Sequence, residues 1–268
     1  MPYIKNSKLI FITMKALFLG CFLSCTLPVS ASEDFQTYFH KGGKCYNEGD
    51  WDCAIDKLEK ASAIKPGNAQ VHYGLASSYL HKRADLLNEI TAKTLEKQFQ
   101  EFDFKGNTIK IYAKNILNEN DPIHKNRITD YQNSFTKELL QKGLKSAKKA
   151  IELDRTIGGA HYILGVHFSN VGELDKAEKE LLLAIRYNQN DSSAYSVLGS
   201  VYEKKELYNY AIACKKKCLE LDPEDEISHY HLAVLYLKTS QKEKAMKEYD
   251  YLKQTESMYL DTLRPFFQ

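Results

Sequence analysis

The sequence has little proline and little glycine, 6 and 13 in 268 residues. That scarcity excludes a collagen-like or low-complexity chain. No charge of one sign dominates: 37 Lys+Arg stand against 35 Asp+Glu. A chain so balanced has no basic field for nonspecific nucleic-acid binding. Mean hydropathy is −0.46, which excludes a polytopic membrane protein. There is no nucleophile elbow, phosphate loop, H-E-x-x-H or carboxylate pair, so catalysis has no visible carrier. Gly42-Gly43 sits in a helical slot and is no phosphate cradle. A hydrophobic fraction of 43% is too high for a disordered chain. Length alone suggests one or two globular domains.

The one long apolar run lies at the front. Residues 1–31 hold Lys5, Lys8 and Lys15 and no acid, and Ala16 to Val29 is uncharged and apolar. Val29-Ser30-Ala31 then places small residues at both cleavage-determining positions. These features predict a secretory signal peptide over 1–31, cut after Ala31. Met14-Lys15 is an alternative start. A spanning helix needs about 20 apolar residues, and Lys15 interrupts the longer run. Lipidation is the third option: Cys21 and Cys25 each end a stretch similar to a bacterial lipobox, with Phe where Leu is usual. The expected location is therefore periplasmic or secreted, with a membrane-anchored lipoprotein as the alternative.

A repeat of 34 residues organises the remainder. Leu164-Gly165 recurs as Leu198-Gly199 and Leu232-Ala233; Phe168 as Tyr202 and Tyr236; Ala177 as Ala211 and Ala245. Gly42, Trp51, Ala54, Leu58, Ala61 and Pro66 fill the same slots near the front. Each unit reads as two helices. Tyr195, Leu198, Gly199 and Tyr202 share one face at three- and four-residue spacing, and Ala211, Cys214, Cys218 and Leu221 continue on a second helix. Asp222-Pro223 stops it, because proline lacks an N–H and clashes with the preceding turn. Small Gly199 and Ala211 let two backbones approach. One such hairpin cannot bury both faces and must stack on copies of itself.

This pattern resembles the tetratricopeptide repeat (TPR) family. The resemblance implies an all-α, right-handed superhelical solenoid of helix-turn-helix hairpins. It divides the chain into a hairpin and the first helix of the next at 35–82, an irregular stretch at 83–157, three consecutive units at 158–259, and a cap or tail at 260–268. Ala54 to Ala177 is 123 residues, three periods and 21 more. The irregular stretch is thus a helical insertion or a degenerate unit. Within it, Leu139–Asp154 reads as a second helix, Phe104 to Asn107 as a turn, Thr108–Leu117 as a short helix, and Asp121-Pro122 as a helix start.

The resemblance also implies function. First helices of TPR stacks line an inner surface that binds an extended peptide or a helix. One inner row is Phe39, Tyr73, Tyr162, Ser196 and Tyr230; a second is Gly43, Ser77, Val166, Ser200 and Val234; a third is Tyr46, Leu80, Ser169, Glu203 and Leu237. The Lys/Asn/Arg clamp that some members use for a terminal carboxylate is absent from these rows. The expected groove is Phe39, Tyr73, Tyr162, Ser196, Ser200, Tyr230 and Val234, aromatic and small-polar, suited to apolar side chains of a protein or peptide partner. No nucleic-acid partner, metal or cofactor is implied. A membrane partner is implied only if Cys21 or Cys25 is lipidated or the signal is retained. The expected role is a non-catalytic scaffold of the bacterial envelope; the alternative is a secreted effector binding a host or competitor protein.

Four cysteines follow the signal. Cys45 and Cys53 flank one turn and are a candidate disulfide, against two packed thiols. Cys214 and Cys218 lie one helical turn apart and read as packing residues. His72, His161 and His229 share one repeat slot and read as packed histidines.

Overall fold

The computed structural model describes residues 33–100 and 122–267, with side chains at 34–89 and 136–267. The expected signal segment, Cys21, Cys25, the 104–107 turn and the helix at 108–117 lie outside these residues. All of the regular structure described is helical, arranged as stacked helix pairs. The chain divides into two compact units, with the division after Lys149.

The first unit opens with α1 (Glu33–Glu48) and α2 (Trp51–Ile64). Gly49 turns the chain with a φ of 77°, a left-handed conformation that costs glycine little. Asp50 caps α2 through Cys53 N, 3.0 Å away. α1 and α2 meet at Gly42, where a methyl group would sit 2.7 Å from Leu58 Cγ. Cys45 and Cys53 are joined across the turn, with their Cα atoms 5.7 Å apart.

Next come two long helices, α3 (Ala69–Gln100) and α4 (Pro122–Leu153), of 32 residues each. α3 packs on α2 and starts where Asn68 Oδ1 accepts from Val71 N at 3.0 Å. The start of α3 and the later part of α4 pair as one hairpin. A methyl group on Gly143 would fall 2.9 Å from Leu80 Cγ and 3.3 Å from the Ala76 carbonyl, and Leu139 packs on the Phe35, Leu58, Leu75 and Tyr79 core. The start of α3 and the second helix expected at Leu139–Asp154 are thus the two halves of one hairpin, each prolonged as helix.

The second unit contains three hairpins: α5 (Gly158–Asn170) with α6 (Leu174–Tyr187), α7 (Ser192–Lys204) with α8 (Tyr208–Leu221), and α9 (Glu226–Lys238) with α10 (Lys242–Gln254). Consecutive helices pack along the stack. Each turn passes through one left-handed residue: Gly172 at φ 81°, Glu206 at 60° and Ser240 at 59°. Leu181, Leu198, Val201, Tyr202 and Leu235 form a core shared among the hairpins. The connector before α7 has no proline; buried Asp191 starts the helix by accepting from Ala194 N at 3.0 Å.

The last hairpin is closed by α11 (Leu260–Leu263) and a 3₁₀ turn, Arg264–Phe266. Leu263 is buried against Ala233 and Leu252. The two terminal phenylalanines part company: Phe267 stacks on Tyr249 at 4.6 Å, whereas Phe266 is exposed.

Candidate partner-binding face

The side chains expected to line the face stand on first helices. In the first unit, Phe39 on α1 is half-buried and stacks on Phe35 at 5.7 Å. Tyr73 on α3 is half-buried too. In the second unit, α5 touches α7 and α7 touches α9, which brings Tyr162, Ser196, Ser200, Tyr230 and Val234 onto neighbouring helices. All five are half-buried.

Their surroundings differ. Tyr162 packs on the Leu181–Leu198 core; burial of its hydroxyl end pushes its pKa up, against a hydrogen bond with Ser193. Tyr230 stacks on Tyr259 at 5.1 Å and meets His231 edge-on at 5.4 Å. Val234 packs with Leu252 and Leu263. Ser200 donates to the Ser196 carbonyl at 3.2 Å.

Several row members are not presented. Gly43, Ser77 and Ser169 are buried. Tyr46 is buried between Trp51 and His81, bonds Ser77 Oγ at 2.8 Å, and has its pKa raised to about 12 by desolvation. Repeat position alone does not predict this, because the large Trp51 and His81, stacked at 4.8 Å, draw Tyr46 inward.

Two features of the face were missed in the sequence. Glu203 on α7 accepts from His231 Nδ1 at 2.9 Å and from Lys238 Nζ at 2.9 Å, a charged link between adjacent first helices. Lys215 on α8 is fully buried and donates to Ser196 Oγ at 3.0 Å. Its signal was present: one period back, the same slot holds Leu181, so a lysine stands where the repeat puts a core leucine.

The histidines of the shared slot have structural partners. His161 is buried, with Nδ1 2.7 Å from Glu180 Oε2 and Nε2 3.0 Å from the Arg155 carbonyl. His229 repeats the arrangement with Glu248 at 2.6 Å and the Pro223 carbonyl at 3.1 Å. His72 reaches the Pro66 carbonyl at 2.8 Å. Each ties its first helix to the preceding loop. Among the described residues no three His, Cys, Asp or Glu side chains converge to hold a metal ion. Cys214 and Cys218 are free thiols whose pKa values burial raises to about 11 and about 12, so neither is an activated nucleophile. Among the same residues no helix is long and apolar enough to cross a membrane.

Residues 192–225, the α7–α8 hairpin, match the model of the tetratricopeptide repeat. That hairpin is a TPR unit by sequence, and the stacked helix pairs of the chain are TPR-like. Solved TPR structures share its fold. A crystal structure of MamA protein is 22% identical, with a TM-score of 0.52 over 84% of this chain and 93% of that one. MamA from Desulfovibrio magneticus RS-1 is 16% identical, with 0.54 over 85% and 97%. YrrB, described as a TPR protein with an unusual peptide-binding site, is 16% identical, with 0.55 over 88% and 94%. No curated protein shows significant sequence similarity.

Proposed function

We propose that this chain is an adaptor exported to the bacterial envelope, where its first-helix face holds an extended or helical segment of a partner protein. The observation that carries the reading is the placement of Tyr162, Tyr230 and Val234 on neighbouring first helices, each half-buried. Such side chains are pre-ordered by the core beneath them, so a ligand gains contact area at small entropic cost. The peptide-binding site of YrrB lends the reading support from a shared fold.

Export draws on separate features. The basic start, the apolar run from Ala16 to Val29 and the small residues before Ser32 form a secretion signal. The Cys45–Cys53 bridge suits an oxidising compartment.

Three measurements test this. Fluorescently labelled peptides rich in apolar residues should bind the full chain more tightly than peptides whose main feature is an acidic tail; the opposite preference overturns the groove chemistry. Tyr230→Ala should weaken that binding with helicity unchanged, whereas a loss of helicity would make Tyr230 a fold residue only. Fractionation of the producing cell should find the chain outside the cytoplasm, shortened at its N-terminus.

A further inference from the structure

Lys215 is the most unusual buried group of the second unit. Its stem lies along Gly199, where a methyl group would come within 3.1 Å of both Cγ and Cε. The glycine therefore makes the channel through which the lysine crosses from α8 toward the first-helix face. The ammonium emerges beneath Ser196, and among the described residues Ser196 Oγ is its one hydrogen-bond partner, at 3.0 Å. An ammonium carries three donors, so two find no acceptor among the described residues.

The nearby carboxylates do not supply them. Asp225 caps α9 by accepting from Ile227 N at 3.2 Å and receives Cys218 Sγ at 3.3 Å. Glu203 is engaged by His231 and Lys238. Both act on Lys215 only through the longer-range Coulomb field. A buried cation without a contacting anion is costly, and desolvation accordingly lowers its pKa.

Ser196 is the outlet. Its oxygen accepts from Lys215 and lies 3.2 Å from the buried Ser228 Oγ. When Ser228 donates to it, the Ser196 hydrogen is free to point into the face, polarised by the ammonium behind it. Ser200 stands one turn further along α7, half-buried on the same row of helices. The flanking Tyr162, Tyr230 and Val234 are uncharged, so the charge left to be answered is that of Lys215.

We propose that Ser196 and Ser200, backed by Lys215, form a binding point for a carboxylate carried by the partner within an otherwise apolar segment. The inference rests on the reading that the partner lies along the first-helix face. The carboxylate accepts from the Ser196 hydroxyl while Lys215 compensates its charge from below, a charge-assisted arrangement stronger than a neutral one.

The test uses the full chain labelled with ¹⁵N, titrated with sodium propionate and, in parallel, with propionamide at matched ionic strength. Propionate should move the amide signals of Ser196, Ser200 and Lys215 saturably, and propionamide should not. Lys215→Met, which keeps the stem and removes the charge, should weaken the propionate response by about tenfold, the scale of a hydrogen bond to a charged group. Equal responses to the two probes, an undiminished response in Lys215→Met, or silence at Ser196 and Ser200 overturns the proposal. Should Lys215→Met fail to fold, Ser196→Ala makes the same comparison with the lysine in place. An apolar peptide that binds at Tyr230 while propionate leaves Ser196 unmoved defeats this site alone. Propionate binding without any peptide binding defeats the adaptor reading and leaves the site.

Discussion

Gly165 and Leu181 touch so closely that a methyl group added to the glycine would lie 2.6 Å from Leu181 Cγ. The contact recurs one repeat later as Gly199 against Lys215, with 3.1 Å to the nearest atoms. The two differ in what can give way. Leu181 is fully enclosed by the core, whereas the lysine stem is unbranched and has more torsions to adjust.

Alanine at the two glycines should therefore have unequal effects. Overpacking costs about 1–3 kcal/mol, and alanine recovers up to about 1 kcal/mol of helix preference over glycine. Gly165→Ala should lose about 1–2 kcal/mol in urea denaturation, and Gly199→Ala should stay within about 0.5 kcal/mol of the parent. Equal losses would show that Lys215 is as rigidly held as Leu181.

Reducing the Cys45–Cys53 bond should destabilise the first hairpin. Closing so short a loop restricts the unfolded chain by about 2.5 kcal/mol in the entropic account. Thermal melts of the full chain with and without a reductant measure the loss. Cys45→Ser with Cys53→Ser should melt like the reduced parent and be insensitive to reductant.

Glu203 gives the fold an acid-sensitive link. Its hydrogen bond with His231, and then that with Lys238, hold its pKa down at about 2 against desolvation. A carboxylate whose folded pKa lies below its unfolded value stabilises above the unfolded pKa and loses that contribution as pH falls through the folded one. The parent should thus lose stability between roughly pH 4.5 and 2, and Glu203→Gln should show a shallower loss there. Denaturant midpoints across that range decide it; parallel curves would remove Glu203 from the account.

Asp191 works in the opposite direction. Burial raises its pKa, with the Ala194 and Ser193 backbone N–H groups opposing. A raised carboxylate pKa favours the folded state as pH falls and penalises it near neutrality. Asn keeps the cap without the charge, so Asp191→Asn should be at least as stable as the parent at pH 7. Asp191→Ala should lose about 1 kcal/mol. If Asn loses as much as Ala, the ionised carboxylate itself is what α7 needs.

Much of this was legible from the 34-residue spacing. Ala177, Ala211 and Ala245 are fully buried, because small residues at fixed slots dictate helix contact regardless of the residues between. The second hairpin was harder. Its halves, Leu75–Tyr79 and Leu139–Ala150, lie far apart in sequence, so the spacing alone leaves the repeat count ambiguous over the 123 residues from Ala54 to Ala177. Long-range pairing of α3 with α4 resolves it, through Gly143 against Ala76 and Leu80. On the candidate face the spacing located the helices but not the depth of each side chain. Tyr46 and Tyr162 occupy face slots yet lean on the core. A hydropathy pattern reads Lys215 as solvent-facing, and only its packing along Gly199 reveals otherwise.

The left-handed turn residues carry one more consequence. Gly172, Glu206 and Ser240 answer the same local demand three times, and only glycine does so without steric cost. The molecule is thus its own consensus set. A residue that one hairpin already uses is a tested part for the next, and the array can be stabilised by transplanting turns within itself, without reference to any other protein.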